Sequence, residues 1–227
     1  MHAPYPVKIL NSSALDKYRK GITLIHGTMF AGKSKKLIKI ATSFSSEKGF
    51  LKYSSEDNGT FKFILKDVAV FKPIGHKRNL NEIFSRAEGG IKISCSSISF
   101  ESDDVSQVFA AMNRGEAVII DECQFIKANI LKNIVDYAEK VSATLIMGGL
   151  DYKMGLEEDP PREEFWEETQ AMIEDPRVNK IHLAAECVFG CIDEKKKQKK
   201  EAIGQVEAKI MLDGEPIPSN EKSEKHH

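Results

Sequence analysis

Cysteine is scarce in this chain of 227 residues: Cys95, Cys123, Cys187 and Cys191 make up the full set. Four thiols at irregular spacing exclude a disulfide framework and point to a reducing compartment. An excess of charge of one sign is missing as well, since 33 basic side chains face 34 acidic ones for a net charge of -1. A polybasic nucleic-acid-binding surface is therefore not expected. No apolar stretch approaches the roughly 20 residues that span a bilayer, and the start MHAPYPVKIL lacks a secretory apolar core with a cleavage site. The expectation is a cytoplasmic protein with no membrane partner. Internal repeats are absent too, which excludes a solenoid. What is present, 41% hydrophobic and 30% charged residues, is globular composition of a length for one main domain and a small appendage.

The chemistry starts at GTMFAGKS, residues 27 to 34, which satisfies G-x-x-x-x-G-K-[ST]. The β-rich run GITLI precedes it and the helix-like KKLIKIATSF follows, the context a phosphate loop requires. Glycines let the backbone curl so that successive N–H groups face phosphate oxygens, and the next helix adds its N-terminal dipole. Chance would place the four fixed positions in about one chain in a hundred of this size, before that context is demanded. Gly27, Thr28, Met29, Phe30, Ala31 and Gly32 are thus candidate ATP-cradling residues. Lys33 is the candidate for the β and γ phosphates, and the Ser34 hydroxyl for magnesium.

A loop of this kind needs an acidic anchor for the metal at the end of a neighbouring parallel strand. AVIIDECQF, 117 to 125, offers one. Its continuous apolar run predicts a strand buried on both faces. Asp121 then leaves the sheet as the magnesium-side carboxylate, and Glu122 faces the acceptor as the candidate general base. Around these, FLKYSS and VAVFKP read as strands of the same parallel sheet, and NLNEIFSRAEGG as a turn and short helix. IKISCSSISF, 91 to 100, reads as one strand, and 103 to 115 as a helix capped by Ser102 or Asp103. ANILKNIVDYAEKV reads as a helix, TLIMGGLD and VNKIHLAAE as strands, and VEAKIML, 206 to 212, as a hairpin strand. The FW pair at 165 and 166 reads as a packing anchor. Alternating strands and helices behind a phosphate loop predict a P-loop α/β fold: a doubly wound parallel sheet flanked by helices, with a small C-terminal subdomain. The expected boundaries are an N-terminal extension 1–20, a nucleotide-binding domain 21–184, the subdomain 185–218 and a disordered tail 219–227.

GTMFAGKS, IIDECQF, GGLDYKM and LAAECVFGC, in that order, resemble the P-loop thymidine kinases of animal cytosol, bacteria and large DNA viruses. That family carries a GPMFSGKS-like loop, a strand ending in DExQFF, a GLD segment and a zinc-binding tail opened by Cys-x-x-Cys. The resemblance implies an ATP-dependent deoxynucleoside 5'-kinase, most simply one acting on thymidine, with a RecA-like α/β domain, a small C-terminal lasso/zinc-like subdomain, nucleotide and nucleoside ligands and a homotetramer or dimer. It implies that Lys33 and Glu122 are catalytic, that Ser34 and Asp121 hold Mg2+, and that Met29 and Phe125 line the nucleoside pocket. It further implies that Gln124 lies beside the nucleotide and that Arg78 stands near the phosphates.

Departures from the family pattern are concentrated outside the loop. Thr28 and Ala31 replace a proline and a serine, changes the loop tolerates because it works mainly through backbone N–H groups. His76 and Asn79 stand where an aspartate and an aromatic are expected, and Arg86 where a histidine is. Cys187 and Cys191 supply one pair of zinc ligands at Cys-x3-Cys spacing, and no cysteine follows. A structural zinc site takes four ligands, so the pair reads either as two free thiols or as a partial Zn2+ site. GQVEAKIMLDGEPIPSN has no aromatic where the family stacks a tyrosine on the nucleoside. A homologue that binds nucleotide without transferring phosphate, and a kinase or ATPase serving another acceptor, stay open as alternatives.

Overall fold

The computed structural model describes residues 9–47, 52–55, 60–74, 81–85, 90–98, 105–154 and 163–184, with two short strands at Ile192–Asp193 and Gln198–Lys199. Its main element is a six-stranded sheet in the order β12-β1-β9-β8-β4-β7. These strands are β1 (Ile22–Gly27), β4 (Val68–Pro73), β7 (Ser96–Ile98), β8 (Ala117–Ile120), β9 (Leu145–Leu150) and β12 (Val178–Leu183). Every neighbouring pair runs parallel. Parallel strands need crossovers, and the helices that provide them cover both faces. The expected parallel α/β architecture is thus present.

Alternation along the strands shows how the two faces are filled. Val118 and Ile120 of β8, with Leu145 and Met147 of β9, pack on one side. There they meet α3 (Ser106–Asn113), α4 (Ala128–Lys140) and Met172 of α5 (Glu167–Glu174). Ala117, Ile119 and Ile146 face the other side, against α2 (Lys33–Glu47). This is why AVII is apolar at every position: each residue enters one of two cores. Both faces therefore read as hydrophobic in the sequence.

α2 is covered a second time, by a four-stranded sheet in the order β2-β3-β6-β5. Its strands are β2 (Lys52–Ser55), β3 (Phe61–Ile64), β5 (Glu82–Ser85) and β6 (Ile91–Ser94), with β2–β3 and β5–β6 antiparallel and β3–β6 parallel. Phe63, Ile83, Ile91 and Ile93 join Leu37, Ile38, Ile40, Ala41 and Phe44 of α2 in a single core. Each such side chain, when fully buried, contributes about 1.5–3 kcal/mol. The hydroxyls buried on α2 find backbone partners: Thr42 Oγ1 donates to the Ile38 carbonyl at 2.9 Å, and Ser43 Oγ to that of Lys39 at 2.6 Å. A short N-terminal helix, α1 (Ser12–Asp16), adds Leu15 to this core, and the following Tyr18 joins it, both fully buried.

Four expectations need correction. Residues 82 to 85 form a strand, not a helix, because Ile83 and Ser85 are buried at the two-residue period of a sheet. The run 91 to 100 is not one strand: β6 belongs to the small sheet and β7 to the main one, with the change at Cys95. FLKYSS pairs antiparallel in the small sheet rather than parallel in the main one. The helix expected from 103 starts at Ser106 behind Val105, which gives no side-chain cap; Ser102 and Asp103 lie outside the described residues. The strand expected at 206 to 212 lies outside the described residues. No helix among the described residues is long and apolar enough to cross a membrane.

Candidate active site

The loop leaves β1 at Gly27, whose φ of +151° goes with a close backbone crossing. A Cβ there would stand 2.0 Å from the Leu183 carbonyl oxygen at the end of β12, so only glycine fits. Phe30 and Gly32 are left-handed, with φ of +63° and +84°. Left-handed residues among right-handed ones turn successive N–H groups toward one concavity, the geometry that receives anions. α2 starts directly behind it at Lys33.

The Lys33 ammonium donates to two carbonyls of its own loop, Gly27 at 3.1 Å and Thr28 at 2.6 Å. Burial pushes its pKa below the usual lysine value, although Glu122, Asp121 and Asp151 all pull it upward. Thr28 and Met29 are half-buried, Ala31 likewise, and the Phe30 ring is exposed.

Asp121 stands where β8 ends, its N–H donated to the Phe71 carbonyl of β4 at 3.0 Å. Burial pushes its carboxyl up to about 7, and the neighbouring Glu122 charge adds to the rise; Lys72 and then Lys33 oppose it. Lys72 is a buried cation that sequence reasoning missed. It lies one position beyond the Phe71↔Ile120 pair of the β4–β8 ladder, beside Asp121. The one sequence signal was a lysine closing an otherwise apolar strand. Ser34 Oγ lies 3.5 Å from Asp121 Oδ2.

Glu122 is also left-handed, at φ 57° and ψ 42°, where a non-glycine backbone is disfavoured. Its N–H donates to Asp121 Oδ1 at 3.1 Å, and its Oε2 accepts from Gln124 Nε2 at 2.6 Å. A single 3-10 turn, Cys123–Phe125, follows. It puts Cys123 against the backbone of Gly149, where a Cβ would stand 2.7 Å from Cys123 Sγ. The glycines of MGGLD therefore let the turn close onto β9. Phe125 is 41% exposed beside this turn and meets the edge of Trp166 at 5.3 Å between ring centres. The FW pair thus does pack, but next to a residue the sequence marked for the acceptor. The Trp166 indole N–H is buried with no hydrogen-bond partner among the described residues.

Asp151, at the end of β9, is a further buried carboxylate that was seen in the sequence only as a strand end. Its N–H donates to the Gly27 carbonyl at 3.3 Å and its carbonyl accepts from the Trp166 backbone N–H at 2.9 Å. Its side chain meets His26 Nδ1 at 2.8 Å and His182 Nε2 at 3.6 Å. The root of the loop is thereby tied to the aromatic side of the site.

Two hard oxygens, Ser34 Oγ and Asp121 Oδ2, suit magnesium, whose octahedral shell at about 2.1 Å places adjacent oxygens about 3 Å apart. A closure of about half an ångström from 3.5 Å would bring them to that spacing. Zinc finds no such set: no group of three or more His, Cys, Asp or Glu among the described residues is arranged to hold a metal. Cys187 and Cys191, like Arg78, His76, Asn79 and Arg86, lie outside the described residues.

Two solved helicase structures share some similarity with the chain. One is described as the crystal structure of Pif1 helicase from Candida albicans, at 16% identity and TM-score 0.36, covering 78% of this chain and 40% of that one. The other concerns DNA unwinding at forked double-stranded DNA by two coordinating Pif1 helicases, at 14% identity and TM-score 0.32, covering 65% and 35%. The chain thus spans less than half the length of either, and likeness at this level says nothing of its activity. No curated protein matches. The family model described as thymidine kinase matches residues 20–206, a span that takes in the loop, Asp121, Glu122 and Asp151, and the chain belongs to the thymidine kinase family.

Proposed function

We propose that the protein transfers the γ-phosphoryl group of ATP to the 5'-hydroxyl of a deoxynucleoside, with thymidine as the first acceptor to test. The observation that carries this is the meeting of Lys33, Ser34, Asp121 and Glu122 beyond the C-terminal ends of β1 and β8, the two strands that flank β9, within a chain of the thymidine kinase family.

Loop N–H groups from Thr28 to Ser34 hold the phosphate oxygens, and Lys33 exchanges its loop carbonyls for the β and γ phosphates. Ser34 and Asp121 would hold magnesium, which when bound would neutralise charge on those phosphates. Glu122 accepts the proton of the 5'-hydroxyl as its oxygen bonds to the γ phosphorus and the bond from that phosphorus to the β-phosphate oxygen breaks, the electron pair leaving with ADP. Met29 and Phe125 flank the nucleoside. Positioning and charge neutralisation carry most of the rate in such a transfer.

The kinase unit is assigned to 21–184 and the nucleoside-covering subdomain to 185–218, in a cytoplasmic homo-oligomer of two or four chains. The two thiols of Cys187 and Cys191 fall short of a closed zinc site, and no step depends on zinc. The test is transfer of labelled γ-phosphate from ATP to thymidine with magnesium, beside Glu122→Gln. Formation of thymidine monophosphate by the wild type and a loss of about 10²–10⁴-fold in the variant support the reading. Nucleotide binding with no transfer to any nucleoside overturns it.

A further inference from the structure

Gln124 is buried, 1% exposed, yet it sits two residues from the base and both ends of its amide are engaged. At one end Oε1 accepts the backbone N–H of Leu150 at 3.1 Å. That bond has a topological cause. The β8–β9 ladder ends at Ile120↔Met147, while β9 continues to Leu150. The Leu150 N–H therefore projects beyond the last residue of β8, at a half-buried position where an N–H without a partner is costly. The Gln124 amide takes the place of the missing strand.

This settles which way the amide faces. A backbone N–H can only donate, so the atom that meets it is the amide oxygen, and the Nε2 group is left pointing at Glu122. Its 2.6 Å bond to Oε2 occupies one carboxylate oxygen with a neutral donor. The Glu122 backbone is held in its left-handed turn by a separate bond, from its N–H to Asp121 Oδ1. With the main chain fixed at one point and Oε2 at another, the carboxylate has one oxygen left to turn toward an acceptor.

We propose that Gln124 is a positioning residue that selects Oε1 of Glu122 as the proton-accepting atom, by anchoring Oε2 through an amide that is itself locked to Leu150 N–H. This rests on the kinase reading and deepens it. The proton from the 5'-hydroxyl moves to Oε1, and Gln124 acts on the transfer through Glu122. Its effect is on the rate of transfer at saturation, not on the binding of either substrate.

The test uses the full chain and two variants. Gln124→Glu keeps the length and the acceptor for Leu150 but removes the N–H donor, and Gln124→Met removes both. The expected result is a kcat at least tenfold lower in each, with KM for the nucleoside and the dissociation constant of a fluorescent ATP analogue within about threefold of wild type. Variants with wild-type kcat, or with weakened ATP binding and unchanged kcat, overturn the proposal while the kinase reading stands. A wild-type protein that phosphorylates no nucleoside overturns the kinase reading itself. Should both variants fold poorly, nuclear magnetic resonance of the Gln124 side-chain amide in the wild type and in Glu122→Ala decides the contact. Loss of the Glu122 carboxylate is expected to move that signal upfield while the Leu150 amide stays in place, and an unmoved Gln124 signal overturns the proposal.

Discussion

Ser34 Oγ and Asp121 Oδ2 lie 3.5 Å apart although 87 positions separate them in the chain. One comes from the first turn of α2 and the other from the end of β8, and their approach follows from β1 and β8 both being neighbours of β9 in the sheet. Ser34→Ala and Asp121→Asn are each expected to weaken magnesium-dependent ATP binding by at least about tenfold, roughly one charge-assisted contact. Binding of ATP in the presence of a chelator should change far less. Isothermal titration with and without magnesium measures the difference, and equal losses in both conditions would show that the pair holds no metal.

Asp121 also gives the protein a pH dependence. Its carboxyl is raised to about 7 in the folded chain by burial and by Glu122, against the ordinary aspartate value of about 3.9 when unfolded. Between those values the folded state binds the extra proton, so this contribution to stability is complete below about 4 and is lost as pH rises through about 7. Asp121→Asn removes the titration. The melting temperature of the variant, relative to wild type without magnesium or nucleotide, is expected to climb from pH 5 to pH 8 by the equivalent of a few kcal/mol. A constant difference across that range would refute the assignment.

Phe125 and Trp166 meet edge to face at 5.3 Å, a contact contributing about 0.5–1.5 kcal/mol beyond area burial. Trp166→Ala leaves the half-exposed Phe125 ring without its support. KM for the nucleoside is expected to rise about tenfold with ATP affinity unchanged. Trp166→Phe should recover most of the loss. Steady-state kinetics with each substrate varied separately distinguishes this from a general loss of folding.

Gly149→Ala should be among the most damaging single methyl additions. The new Cβ would stand 2.7 Å from Cys123 Sγ and 3.1 Å from Thr169 Oγ1, both fully buried. Overpacking of this kind costs about 1–3 kcal/mol. Denaturant titration should register that loss, and pairing it with Cys123→Ala should return part of it, because the clash is with the sulfur.

GTMFAGKS and IIDEC were legible because their information is local. A phosphate loop is one continuous turn of backbone, and a strand buried on both faces must be apolar at consecutive positions, so spacing along the chain is spacing in the site. The parallel sheet followed from the same alternation of strands and helices. The sequence could not show that FLKYSS and IKIS leave this sheet to build a second one over α2, since a four-residue strand reads alike in either, nor that EIFS joins them as a strand rather than a helix. Nor could it show that Lys72 lies beside Asp121, that Gln124 replaces a strand for Leu150 across 26 positions, or that Trp166 supports Phe125. Those relations depend on which strands become neighbours and where each one stops. The residue types were written in the chain; their meeting was decided by sheet order and register, which only the folded backbone sets.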